Sequence, residues 1–309
     1  MMTLSRCLAS LLLALAAMAG DACGTTPVAP TGFCALKPMA EVPARFVQGH
    51  VLVPANIDSA PVQMVVDTGA TTSMLTPESV ARLRLPIDTN RASAIHGTGG
   101  TVITRNVLVR SLRVGNQDWL AGSIATGSLA RQYQEDPPVV GVLGADFLDR
   151  FDIELDVPQQ RMVLWRVEHC QGDFIPWQGR HFPVRLTRYP PNQMVAQAHI
   201  DGHPVAALID WGATESTIST ATAAAVGVSP TMLLHDQMLA TRGVDQKLLS
   251  ARRHLFGLVA IGPVLYRNFV VDVVDLHIPD VGMLLGADFV STRHVWLSYA
   301  TNQMFVGQP

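Results

Sequence analysis

The stretch "MVVDTGATTSML", beginning at Met64, returns as "ALIDWGATESTI", beginning at Ala207. Asp67 and Asp210 stand 143 residues apart, and the following residues align without a gap: Gly69 with Gly212, Ala70 with Ala213, Thr71 with Thr214, Ser73 with Ser216. A period this long exceeds the roughly 20–50 residues of solenoid and propeller units. It implies two whole lobes of like fold. A second echo, "VLGADFL" from Val142 and "LLGADFV" from Leu284, follows each acid, its glycine 77 residues on in the first copy and 76 in the second.

Between these anchors the pattern is of short apolar runs broken by turns, the signature of strands. "HVLVPANIDSAPVQMVVD" and "MVAQAHIDGHPVAALID" are hairpins that both end in an acid. "TVITRNVLV", "SLRVG", "RMVLWRV", "HLFGLVAIG" and "RNFVVDVV" continue the β pattern. Helices are few. "TPESVARL" starts with Thr76 as N-cap and Pro77 at the first helical position, and "STATAAAVG" offers Ser219 or Thr220 as cap and Gly227 as stop. The expected fold is all-β: a first lobe over 42–167, a linker over 168–182 and a second lobe over 183–309, with one or two short helices per lobe.

Composition narrows the function classes. The chain is 48% hydrophobic and 15% charged, as a folded protein is, and a net charge of −3 with only two lysines gives nucleic acid no basic surface to bind. Arg6 followed by "CLASLLLALAAMAG" reads as a secretory signal over 1–22, too short to span a bilayer, cleaved after Ala19 or Ala22. A secreted or periplasmic protein is therefore expected, with a flexible leader over 23–41 and no transmembrane segment. A lipid anchor at Cys23 is the lesser alternative, because "GDAC" lacks a large aliphatic residue before the cysteine. Export permits disulfides, and Cys23, Cys34 and Cys170 allow one bridge. Cys34–Cys170 is favoured because the two flank the first repeat; Cys23–Cys34 stays open. There is no CxxC, no HExxH and no GxSxG, so neither a metal site nor a serine nucleophile is indicated.

Asp-Thr-Gly-Ala at the end of an apolar strand, with apolar-apolar-Gly downstream, resembles the aspartic proteases. The lobe length and the "LGADF" form are most similar to the retropepsin-like branch, in versions exported by bacteria. The resemblance spans nearly all of both lobes. It implies that Asp67 and Asp210 face each other and act without a cofactor on an extended protein or peptide substrate. Two close carboxylates share one proton; the ionised member activates water and the protonated one donates to the oxyanion. Gly69 and Gly212 would let backbone amides approach the acids, and the hydroxyl of Thr68 would bond across the lobe interface. Trp211 departs from the pattern, standing where Thr or Ser is expected. An indole has one donor and no acceptor, so either Thr68 bonds another group or the dyad geometry changes. A peptide-binding pseudoprotease is the alternative on that account.

A mobile flap is expected at "AIHGTGGTV", with His96, Gly97, Thr98, Gly99 and Gly100 at its tip. In the second lobe "ATRGVDQK" keeps only Gly243. Asp146 and Asp288, each after Gly-Ala, are expected to cap short helices. Trp119, Trp165, Trp177 and Trp296 are expected in the core or between the lobes. With both lobes in one chain, a monomer is expected.

Overall fold

The computed structural model describes residues 33–97, 100–129, 131–242 and 247–308. The signal segment, Cys23, most of the leader and the flap residues Thr98, Gly99 and Gly243 lie outside the described residues. The leader proves shorter than expected: Ala35–Pro43 is a strand. Among the described residues, no helix is long and apolar enough to cross a membrane.

Each lobe begins with the hairpin read from the sequence, His50–Ile57 with Ala60–Val66, and Gln193–Ile200 with His203–Ile209. The turns place Asp58 and Ser59 at φ 48° and 73°, and Asp201 and Gly202 at 47° and 88°. Such left-handed pairs match the right-handed twist of the flanking strands. The turn acids do equivalent work: Asp58 accepts from the amides of Arg110 and Ser111, and Asp201 from that of Leu258, pinning each hairpin to a neighbouring strand.

The two acids owe their placement to one topological device. In the first lobe the strand Ala60–Val66 runs parallel to Val139–Leu143, which pairs antiparallel on its other side with Met74–Leu75. In the second, His203–Ile209 runs parallel to Met283–Leu285, flanked by Thr217–Ser219. The chain must therefore cross the end of the middle strand, and the crossing loop carries the acid. Gly144 and Gly286 sit under the crossings. A Cβ on Gly144 would lie 2.7 Å from the carbonyl carbon of Thr72, and one on Gly286 2.6 Å from that of Glu215. The remaining strands, Ile87–Gly97, Gly100–Val114 and Gln117–Thr126 in one lobe and Gln237–Arg242, Leu248–Ile261 and Val264–Val274 in the other, extend each sheet; pairing of its first hairpin strand to a long strand folds it back on itself. "TVITRNVLV" and "SLRVG", read separately, are one strand with a register shift between Val109 and Leu112. Thr76 and Ser219 cap their helices through their side chains.

A third group of strands joins the lobes. Ala35–Pro43, Arg161–Glu168 and Asp152–Asp156 meet His294–Ser298, Gln303–Gly307 and His181–Tyr189 in one continuous order. At the join Ile153 faces Leu297, Glu154 faces Trp296 and Leu155 faces Val295. The repeat makes Ile153 equivalent to Val295 and Leu155 to Leu297, so the pairing is its own mirror about Glu154–Trp296. A pseudo-two-fold relation between the lobes is thus written in the register. The linker seals this seam: Trp177 lies stacked on His294 with ring centroids 3.6 Å apart, and its Nε1 donates to Glu154. Trp165 stacks on buried Trp296. Cys34 and Cys170 are disulfide-bonded just beyond the Ala35–Glu168 pair that ends the outermost ladder, one residue out on the first strand and two on the second.

Candidate active site

Each acid is held first by its own loop. Asp67 Oδ1 accepts from the amides of Gly69 at 3.0 Å and Ala70 at 2.8 Å. Asp210 Oδ1 accepts from those of Gly212 and Ala213, both at 3.1 Å. Each carboxylate also lies over the opposite loop. A Cβ on Gly69 would fall 2.2 Å from Asp210 Oδ1, and one on Gly212 2.1 Å from the Asp67 carboxyl carbon. Any side chain at either glycine would displace the acid facing it.

So close a pair cannot ionise twice at low cost, and each carboxyl bears on the titration of the other. Burial drives both upward. Asp210 rises to about 8, with the charge of Asp67 the next cause after burial. Asp67 is also raised by burial, against the opposing pull of its two backbone donors and of the neighbouring carboxyl. The N–H bonds to Asp67 are the shorter ones, which favours it as the charged member of the pair.

The loops are braced from below in a way the repeat foreshadowed. Ser73 donates its hydroxyl to Asp146 at 2.7 Å and accepts from the Gly144 amide at 2.8 Å. Ser216 donates to Asp288 at 2.8 Å and accepts from the Gly286 amide at 3.1 Å. Asp146 and Asp288 do not stand at the N-cap positions, which are Gly144 and Gly286, without a side-chain cap bond. Asp146 does accept from a first-turn amide of its helix, that of Phe147 at 2.9 Å, and each acid also takes the hydroxyl of the crossing loop's serine. The signal was available: Ser and Asp recur together in both copies.

Across the interface the grip is one-sided. Thr68 Oγ1 donates to the carbonyl of Ile209 at 2.8 Å and accepts from the Trp211 amide at 3.0 Å. It needs only the backbone of its partner, which is why Trp211 leaves the acids together. The indole turns away into the core, fully buried, and its Nε1 has no hydrogen-bond partner among the described residues.

Three residues near the acids escaped sequence reasoning. His50 Nε2 donates to the carbonyl of Gly212 at 3.0 Å, and its Nδ1 accepts from the Tyr133 hydroxyl at 2.6 Å. Gln193 Nε2 donates to the carbonyl of Gly69. Burial lowers His50 to about 4, leaving the ring neutral at ordinary pH. A lone His and a lone Gln carry no motif, although they occupy equivalent positions in the repeat.

Each lobe also buries a small apolar cluster of its own, apart from the main core. Leu52, Val65, Met74, Ala125 and Val142 form a cluster in the first lobe, with Ile95 of the strand Ile87–Gly97 packed on it. Leu208, Ala251, Val274, Leu276 and Leu284 form the counterpart, with Leu239 and Leu249 against it. Of the expected flap residues, Gly97 pairs with Gly100, and exposed His96 contacts the Thr101 hydroxyl through Nδ1 at 2.9 Å.

Comparison with known families agrees with this geometry. The family described as "Aspartyl protease" matches residues 53–147. The family described as "gag-polyprotein putative aspartyl protease" matches residues 196–292. No curated protein matches the chain. The two matched segments each contain one acid loop and the apolar-apolar-Gly strand that follows it.

Proposed function

Because this chain belongs to the retropepsin-like aspartyl proteases, carrying two of their domains in tandem, we propose that it is an aspartic endopeptidase that cleaves extended protein segments with a water activated between Asp67 and Asp210. The observation that carries this reading is the crossing of each carboxylate over the other loop's glycine. Asp67, favoured as the carboxylate, takes the proton from the water that attacks the scissile carbonyl. Asp210, which holds the shared proton, donates to the developing oxyanion and then to the departing nitrogen. The test is cleavage of a peptide library by wild type and Asp67→Asn. Activity in the wild type alone supports the reading, and equal turnover by both proteins rejects it.

Trp211 favours a second reading, a peptide-binding protein without turnover. Its indole returns no hydroxyl to the first loop, leaving Thr68 to bridge the interface alone. On that reading the wild type binds peptides without cleaving them, and Trp211→Thr gains activity.

The apolar start of the sequence and the Cys34–Cys170 bridge support export to an oxidising compartment, secreted or periplasmic. Mass analysis of the mature protein, showing a new N-terminus near residue 20 or 23, tests this.

A further inference from the structure

The carbonyl of Gly212 and the amide of Ala213 belong to one peptide unit, and a peptide is planar with its C=O and N–H pointing in opposite directions. His50 grips the oxygen of that unit; its N–H donates to Asp210. Gln193 grips the oxygen of the Gly69–Ala70 unit, whose N–H donates to Asp67. Both grips come from the opposite lobe. His50 and Gln193 are separated by 143 residues, the same spacing as the acids, and each opens the first strand of its hairpin. Neighbouring contacts follow the same crossing: Asn192 donates to the Thr71 carbonyl at 3.0 Å, and a Cβ on Gly49 would meet Thr214 at 3.0 Å.

We propose that His50 and Gln193 are positioning residues for the dyad, each fixing, through one peptide unit of the opposite lobe, the N–H that holds that lobe's acid. A donor at the carbonyl end both orients the peptide and polarises it, strengthening the hydrogen bond at the N–H end. Chemistry explains why the two sides need different support. A carboxamide always presents donors, so Gln193 works alone. A neutral imidazole carries one N–H, and Tyr133, by donating to Nδ1, places it on Nε2 where the Gly212 carbonyl needs it. Tyr133 lies between the strands Gln117–Thr126 and Val139–Leu143; the charge of Arg131 bears on both His50 and Tyr133, and that of Asp67 bears on Tyr133 in the opposite sense.

This inference rests on the proposed peptidase reading. It assigns the two clamps to different members of the pair. Weakening the N–H bond at Asp67 raises its pKa and moves the acid limb of the kcat/KM profile to higher pH. Weakening that at Asp210 moves the basic limb instead. The experiment compares isosteres that differ in the donor: His50→Gln, His50→Met and Gln193→Met. Gln193→Met is expected to shift the acid limb upward by about half a pH unit and to lower kcat by up to about tenfold, with KM within threefold. His50→Met shifts the basic limb upward, and His50→Gln, which keeps a donor, stays within threefold of wild type. Equal profiles for all four proteins overturn the proposal, as does a His50→Gln as impaired as His50→Met. A wild type without peptidase activity rejects the functional reading instead. The clamps are then read from carboxyl 13C titrations of Asp67 and Asp210, which the two Met variants must move separately and His50→Gln must leave in place.

Discussion

The two lobes present the same acid on the same crossing loop, yet they hold it differently. In the first, Thr68 supplies a hydroxyl that bonds twice across the interface. In the second, the equivalent Trp211 supplies only its backbone and buries its ring. Conversely, the first lobe's clamp is an imidazole with a tyrosine behind it, whereas the second's is a bare amide. The comparison teaches that here a single hydroxyl bridge joins the two acid loops, each of which is also held from below by its Ser–Asp pair. In the proposed reaction, the unequal N–H bonds at the two acids are what would make Asp67 the base and Asp210 the acid.

The largest effect should come from removing that division. Asp210→Asn is expected to lower kcat/KM by at least about 10²–10⁴-fold, the usual worth of a positioned acid–base group. The same change should alter stability with a definite sign. Asp210 is raised from 3.8 to about 8, so the folded state binds its proton more tightly than the unfolded chain does. The stability this contributes is complete below the unfolded value and is lost as pH rises through about 8. Thermal melts should therefore show the variant gaining on wild type from about pH 4 to pH 8, with no gain below. A constant difference across that range would break the account of the second acid.

Next in size is the indole. Trp211→Ala should cost about 3–5 kcal/mol of unfolding free energy, as large-to-small changes at full burial do. Denaturant unfolding checks it, and a cost below about 1 kcal/mol would mean the ring packs loosely. The disulfide follows. It is on the first lobe's side of the joining sheet, and the equivalent ladder end in the second lobe, His181 with Gly307, has none. Cys34→Ala with Cys170→Ala should lose about 2–4 kcal/mol while leaving turnover at the distant acids unchanged. The smallest effect on stability, about 1–3 kcal/mol, is expected from Thr68→Val, which leaves buried backbone groups unpaired. Thr68→Ser should restore what Thr68→Val loses. Were the serine no better than the valine, the one-sided bridge would not be what holds the loops together.

Much of this was legible because the repeat fixed correspondences that no single copy could. Both hairpins, both acids, the glycines beneath them and the Cys34–Cys170 pair stand where the sequence placed them. The strand Ala35–Pro43 was hidden by Pro38 and Pro43, residues that argue against a strand unless it lies at an edge. It is the outermost strand, with its register shift beside Pro38. The roles of Asp146 and Asp288 were read only in part: the local bond to the helix start is there, but only the fold shows the loop crossing above that each acid also holds. His50, Gln193 and Tyr133 were invisible for a different reason. The meaning of His50 and Gln193 lies in which carbonyl of the other lobe they reach, and that of Tyr133 in the imidazole it meets 83 residues away, relations between distant segments that local chemistry does not encode.

The central claim, that Asp67 and Asp210 jointly hold one proton, is tested most directly by counting it. Carboxyl 13C NMR on protein labelled at aspartate, assigned with Asp67→Asn and Asp210→Asn, should show the pair singly protonated at pH 6, with the last proton leaving near pH 8. Two fully ionised carboxylates at pH 6, titrating independently near 4, would contradict it.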